Sequence, residues 1–213
     1  TKDYVATVQR AERVGYDVIE MHGGHGYLIH QFLSPLANQR DDEYGGSVKK
    51  RMRYPLEVFE AMRNAWPSDK PLGIRVSAVD WVDGGTTIED TIAFAHELKA
   101  LGCDYMDVSS GQVDARQKIP FAPGYNAPFA EAVRKATGMA TMSVGLITGA
   151  QQAEDIVASG KADFICIGRG AMWDPRWMWH AAEELGAEAP YAPRTMPCHP
   201  KMRPQVFPNR VAG

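Results

Sequence analysis

The chain is short of cysteine. Cys103, Cys166 and Cys198 stand far apart among 213 residues and form no CxxC pair. That spacing offers neither a zinc ribbon nor an iron–sulfur cluster. Cys103 and Cys166 lie in apolar stretches and read as core residues. An excess of one charge is also missing: 23 Lys and Arg against 26 Asp and Glu leave a net charge of -3. Nothing electrostatic therefore points to nucleic acid or an anionic membrane as a partner. No run of about 18 apolar residues exists, so no spanning helix is expected. The opening Thr1-Lys2-Asp3-Tyr4 has neither an initiator Met nor the apolar stretch of a signal peptide. The expectation is a cytoplasmic protein whose chain begins inside a longer one. Finally, no GxGxxG follows an early strand, so a dinucleotide-binding open sheet lacks its fingerprint.

What is present is an ordinary globular composition, 45% apolar and 23% charged, in a chain long enough for one domain with a core. Helix and strand signals alternate along it. Residues 2–14 place Val5, Val8, Ala11 and Val14 near one helical face, and Gly15 ends that run. Further helices are predicted over 48–66, 87–101, 127–136, 150–159 and from Asp174-Pro175 to about Leu185. Thr87, three residues before Asp90, resembles a capping box. Strands are predicted over 16–21, 71–77, 104–108, 140–144 and 162–167, and the Pro-rich stretch 189–213 reads as an irregular tail. Regular alternation implies α/β architecture with a parallel sheet. Polar residues just after the strands, at His22, Arg75, Ser109 and Gly145, favour a barrel, which gathers its site on the loops at one end. Five strand–helix units are legible where a (β/α)8 TIM barrel needs eight. The reading is that residues 1–188 form the C-terminal part of such a barrel, with three strands preceding them.

The loop from His22 to Ser47 carries the most specific signal. His22, His25 and Tyr27 place two imidazoles and a phenol within six residues at a strand's carboxyl end, with glycines between them that let backbone approach a ligand. Taken alone, the two histidines are also compatible with a metal site or with structural roles, although no third ligand stands at suitable spacing. Arg75 lies on a strand that otherwise reads as buried. A lone buried cation is costly, so it should meet an anionic ligand or an internal salt bridge. Gly145 and Gly168-Arg169 follow the last two strands and precede helices. Those are the turns where barrels bind phosphate, and Arg169 would add a charge-assisted contact.

The run His22-Gly23-Gly24-His25-Gly26-Tyr27-Leu28, then Gln31-Phe32-Leu33-Ser34-Pro35, then Asn38 to Ser47 in the pattern N-x-R-x-D-E-Y-G-G-S, resembles the Old Yellow Enzyme family, specifically its bacterial thermophilic-like branch. The likeness extends to about residue 185. It implies an FMN enzyme that reduces activated C=C bonds of unsaturated carbonyl or nitro compounds with NAD(P)H, in a ping-pong cycle, as a homo-oligomer in full-length form. It implies that His22 and His25 bind the substrate oxygen and that Tyr27 supplies the proton. It also implies that His22, Arg75, Ser109, Val144, Gly145, Gly168 and Arg169 contact FMN, with Arg75 beside the flavin N1 and C2 carbonyl. Within the loop, Arg40, Asp41 and Glu43 are expected to form stabilising ion pairs. Trp177 reads as core, with the alternative that 172–179 border the cavity mouth. Arg194 and Arg203 are candidates for reaching a neighbouring subunit. Two other readings stay open: a domain of a larger flavoprotein acting on aromatic or acyl-CoA thioesters, and an inactive phosphate- or FMN-binding fragment; a relative with an iron–sulfur cluster is argued against, because Cys198 alone cannot supply one.

Overall fold

A computed structural model describes residues 1–189, 191–198, 202, 205 and 206. Five parallel strands, β1 (Ile19–Gly23), β2 (Leu72–Ser77), β3 (Tyr105–Ser109), β4 (Ala140–Val144) and β5 (Phe164–Cys166), pair in chain order. The helices are α1 (Lys2–Arg13), α2 (Leu28–Leu33), α3 (Val48–Ala65), α4 (Ile88–Ala100), α5 (Ala127–Thr137), α6 (Ala150–Ala158), α7 (Arg169–Trp173) and α8 (Trp177–Glu184). Strand–helix alternation with sequential parallel pairing is the build of a (β/α)8 barrel, and five of its units are present. Among the described residues β1 and β5 are the sheet's two edges. No helix among them is long and apolar enough to cross a membrane.

Local chemistry accounts for the helix limits. The Ser47 hydroxyl accepts the Lys50 amide at 3.4 Å and the Thr87 hydroxyl accepts the Asp90 amide at 3.3 Å, each capping orphan donors of a first turn. Gly138, at φ 64°, closes α5 in the left-handed conformation. One face of the sheet packs on the helices. Met21, Leu72, Ile74, Val76, Met106 and Val108 are buried there against Val8, Val58, Phe59, Met62, Phe94, Leu98 and Val133. Strand alternation then sends the intervening residues to the other face. Register aligns His22 with Arg75, Arg75 with Asp107, and Asp107 with Met142.

Several expectations need correction. His22 and Ser109 are strand residues, not loop residues, while Arg75 lies within β2 as expected; alternation brings all three to the carboxyl end of the uncovered face. The first strand starts at Ile19 rather than residue 16, because the Tyr16 amide still bonds the Ala11 carbonyl and finishes α1. The last strand is three residues long. Two short helices, α2 and α7, lie in stretches read as loops, and the tail contains a 3-10 helix over Pro193–Cys198. Cys103 is buried, but Cys166 is only half-buried on the uncovered face, with its sulfur 3.6 Å from the Met142 sulfur. Arg194 is exposed; Arg203 lies outside the described residues.

Candidate active site

The segment after β1 turns back sharply. His25 (φ 57°) and Gly26 (φ 75°) are both left-handed. An L side chain is strained there, and at Gly26 a Cβ would fall 2.6 Å from the Gln112 carbonyl oxygen. The turn is held by hydrogen bonds: the His25 amide donates to Ser77 Oγ at 3.0 Å, and the Ser77 hydroxyl donates to the Gly111 carbonyl at 2.8 Å. The result brings the predicted trio together. The His22 ring centroid lies 5.3 Å from that of His25 and 5.4 Å from that of Tyr27. Tyr27 is 65% exposed, so its phenol is open to a ligand from solvent. His25 Nε2 is 2.8 Å from Ser109 Oγ, which ties the trio to β3. No group of three His, Cys, Asp or Glu among the described residues could hold a metal ion.

The rest of the loop is fastened by buried polar groups. Asn38 donates to the Phe32 and Tyr44 carbonyls at 2.7 Å each, and Arg51 donates to the Leu33 carbonyl at 2.7 Å and to that of Gly46. Of the expected ion pairs, Arg40 meets Asp42 and Glu43 meets Arg53 at 2.7 Å; Asp41 takes part in neither.

A cavity of about 620 Å³ opens beside this turn. His25, Tyr27, Arg75, Ser109, Val144, Gly145, Gly168 and Arg169 all line it; His22 does not, and borders a separate groove beside α1. Residues 172–179 do not line the cavity, and the half-buried Trp177 donates its indole N–H to the Thr148 carbonyl at 2.7 Å. Asn126, Tyr125 and Ser110 line the cavity as well and were not anticipated. Asn126 is fully buried and fixed by a relay in which the Trp81 indole donates to Ser110 Oγ and Ser110 donates to Asn126 Oδ1, each at 2.8 Å. Its Nδ2 has no partner.

Electrostatics sharpens the picture. Arg75 pairs with the buried Asp107 at 3.3 Å, so the internal salt bridge does form, yet Arg75 Nε and Asp107 Oδ1 remain without partners. Burial, and then the Arg75 cation, push His25 down to about 4 and lower His22 as well. Both rings are therefore neutral near pH 7 and each keeps one N–H donor. Arg169 is exposed on the cavity rim and enters none of the ion pairs among the described residues.

A parallel βα sheet whose donors and glycine turns meet at the carboxyl ends of its strands is the site-bearing part of a barrel enzyme. The chain belongs to the NADH:flavin oxidoreductase / NADH oxidase family, whose sequence profile matches residues 1–188. It is 47% identical over 178 residues to an NADPH dehydrogenase of Geobacillus sp. (strain WCH70), covering 84% of this chain and 52% of that protein. It is 45% identical over 189 residues to the NADPH dehydrogenase of Bacillus subtilis (strain 168), covering 89% and 55%. The chain thus spans about half the length of the curated relatives it matches. Among solved structures it resembles 2-naphthoyl-CoA reductase in complex with 2-naphthoyl-CoA (TM-score 0.79, 26% identity, 86% of this chain and 28% of the other). It also resembles morphinone reductase (TM-score 0.70, 29% identity, 91% and 50%).

FMN is the family's flavin, with NADPH or NADH as reductant. The residues present fit it. Gly168 has open space where a Cβ would stand, whereas Gly145, at φ 124°, runs so close to Tyr125 that a Cβ would lie 2.7 Å from the ring. Those two turns, the uncommitted Arg169 and the half-committed Arg75 offer backbone donors and positive charge to a phosphate-bearing, electron-rich ligand.

Proposed function

We infer that this chain is the substrate- and phosphate-binding part of an FMN-dependent ene-reductase acting on α,β-unsaturated carbonyl or nitro compounds. The observation that carries the reading is the convergence of His22, His25 and Tyr27, rings within 5.3 and 5.4 Å, beside a cavity that Gly145, Gly168 and Arg169 also line. When bound, FMN supplies the two-electron exchange between NAD(P)H and the alkene in a ping-pong cycle. The residues do the rest. As the β-carbon of the alkene gains a hydride, negative charge grows on the carbonyl or nitro oxygen. The neutral His25 imidazole in the cavity wall, with the neutral His22 ring beside it, would stabilise charge that is larger in the transition state than in the substrate. The Tyr27 hydroxyl then gives its proton to the α-carbon, completing the saturated bond, and regains one from solvent through its exposed edge. Gly145, Gly168 and Arg169 hold the cofactor phosphate; Arg75, Ser109 and Val144 border the flavin, with His22 reaching the site only beside His25. This assignment goes with a cytoplasmic enzyme, a small-molecule alkene and a homo-oligomer for the whole protein, with residues 1–188 as the barrel part.

A second reading, part of a larger flavoprotein acting on aromatic or acyl-CoA thioesters, draws on the likeness to 2-naphthoyl-CoA reductase, of which the chain covers 28%. The test is Tyr27→Phe in the full-length, flavin-loaded protein. Reduction of the flavin by NADPH is retained, while its reoxidation by 2-cyclohexenone slows by about 10²–10⁴-fold, the range for a lost general acid. Unchanged reoxidation removes Tyr27 from the mechanism, and a wild type that turns over thioesters but no enone selects the second reading.

A further inference from the structure

The turn that presents His25 and Tyr27 rests on a buried pair outside the cavity. The Gly26 amide donates to His30 Nδ1 at 2.9 Å, and His30 Nε2 lies 2.9 Å from Asp80 Oδ1. The two side chains are 1% and 0% exposed. Asp80 Oδ2 accepts the Ser34 hydroxyl at 2.6 Å and the Thr86 amide at 2.7 Å. Because Nδ1 accepts a backbone N–H, it carries no proton, so the ring proton is on Nε2 and points at the carboxylate. One tautomer satisfies every partner. Burial alone would raise the Asp80 carboxyl; the donors from His30, Ser34 and Thr86 outweigh it and hold the group below its usual range, as an ionised acceptor.

The geometry gives this pair a use. Gly26 stands between His25 and Tyr27, and its backbone is left-handed, as is that of His25. A non-glycine residue in that region costs about 1–2 kcal/mol, so His25 adopts it only where its surroundings enforce it. Ser77 fixes the amide on one side of the turn and His30 fixes the next one. Gln31 Nε2 donates to the Gly26 carbonyl at 2.8 Å from the exposed side, where it is open to exchange with water. We propose that His30 and Asp80 are positioning residues: through the Gly26 amide they set where the His25 ring and the Tyr27 phenol stand relative to each other. The inference rests on the reading that those two groups act on substrate.

The test uses the full-length, flavin-loaded protein and two substitutions that divide the functions of His30. His30→Asn keeps an acceptor near the Nδ1 position for the Gly26 amide but cannot reach Asp80. His30→Gln reaches Asp80 but withdraws that acceptor. Enone reoxidation should fall by about 10- to 100-fold in His30→Gln, the scale of a misplacement near 1 Å, and by clearly less in His30→Asn, which keeps the acceptor for the Gly26 amide and loses only the Asp80 anchor. In a Tyr27→Phe background the His30→Gln effect should shrink to near unity, since the group being positioned is gone. The reverse order of the two variants, or a His30→Gln effect of full size in the Tyr27→Phe background, overturns the proposal. If Tyr27→Phe alone changes nothing, the reading of Tyr27 fails by itself, and the same cycle against His25→Ala decides for His30. If His30→Gln does not fold, nitrogen-15 shifts of the wild-type ring still decide: a proton on Nδ1 sinks the proposal, and a proton on Nε2 with a lone pair on Nδ1 supports it.

Discussion

Two glycines with almost the same backbone allow strain to be separated from contact. Gly26 and Gly84 sit at φ 75° and φ 77°. A Cβ at Gly84 would meet nothing within 4 Å, whereas one at Gly26 would lie 2.6 Å from the Gln112 carbonyl oxygen, a backbone atom that cannot rotate away. Alanine at either position bears the left-handed cost of about 1–2 kcal/mol, offset by about 0.4–1 kcal/mol from the lower entropy of the unfolded chain. Gly84→Ala should therefore destabilise by about 1 kcal/mol or less. Gly26→Ala adds the overpacking cost of a forced backbone shift, about 1–3 kcal/mol, for a total of about 1–4 kcal/mol. Urea denaturation of the full-length protein at saturating FMN measures both. Gly26→Ala should also slow enone reoxidation, because the displaced peptide joins His25 to Tyr27; Gly84→Ala should not. Unfolding free energies within about 0.5 kcal/mol of each other would show that the approach to Gln112 is not the constraint on this turn.

Arg169→Ala removes a charge-assisted contact of about 1.5–3 kcal/mol, so FMN should bind about 10- to 150-fold more weakly in a fluorescence titration of the apoprotein; unchanged affinity would move the phosphate elsewhere. The depressed His25 pKa has a definite sign. The folded ring stays neutral down to about 4, while the unfolded one takes a proton near 6.5. Over that window the unfolded chain binds more protons, so stability falls as pH is lowered from 6.5 towards 4 and levels off below it. In His25→Gln the stabilities at pH 7 and pH 5 should lie closer together than in wild type; an unaltered difference assigns the slope to another group.

Most strands and long helices were legible because each repeats its apolar pattern over a full element: Val8 on α1, Val58, Phe59 and Met62 on α3, and Leu72, Ile74 and Val76 on β2 are the residues that became core. The failures share a cause. α2 and α7, of six and five residues, are under two turns, too short for a period to register, and α2 is stabilised from outside by His30 and Ser34 reaching Asp80. His30 and Asp80 are 50 residues apart, and no spacing rule joins them. The signal was a histidine inside an apolar run, Leu28 to Leu33, and an aspartate shortly after a buried strand; each alone is commonplace.

The row His22, Arg75, Asp107 shows why the site can be guessed from motifs yet needs the sheet to exist. Each residue sits on a different strand, and parallel register alone sets them side by side. Strand periodicity is two, so a one-residue slip of β2 against β1 would turn Arg75 into the helix-packed core and bring Ile74 or Val76 to the site. The core resists that slip: Ile74 and Val76 are 0% and 2% exposed, and a buried guanidinium in their place would be left without Asp107. The same apolar residues that fold the sheet thus determine which cation meets the cavity. Cutting Ile74 to Ala should therefore weaken FMN binding as well as stability, although its side chain touches neither the cavity nor Arg169.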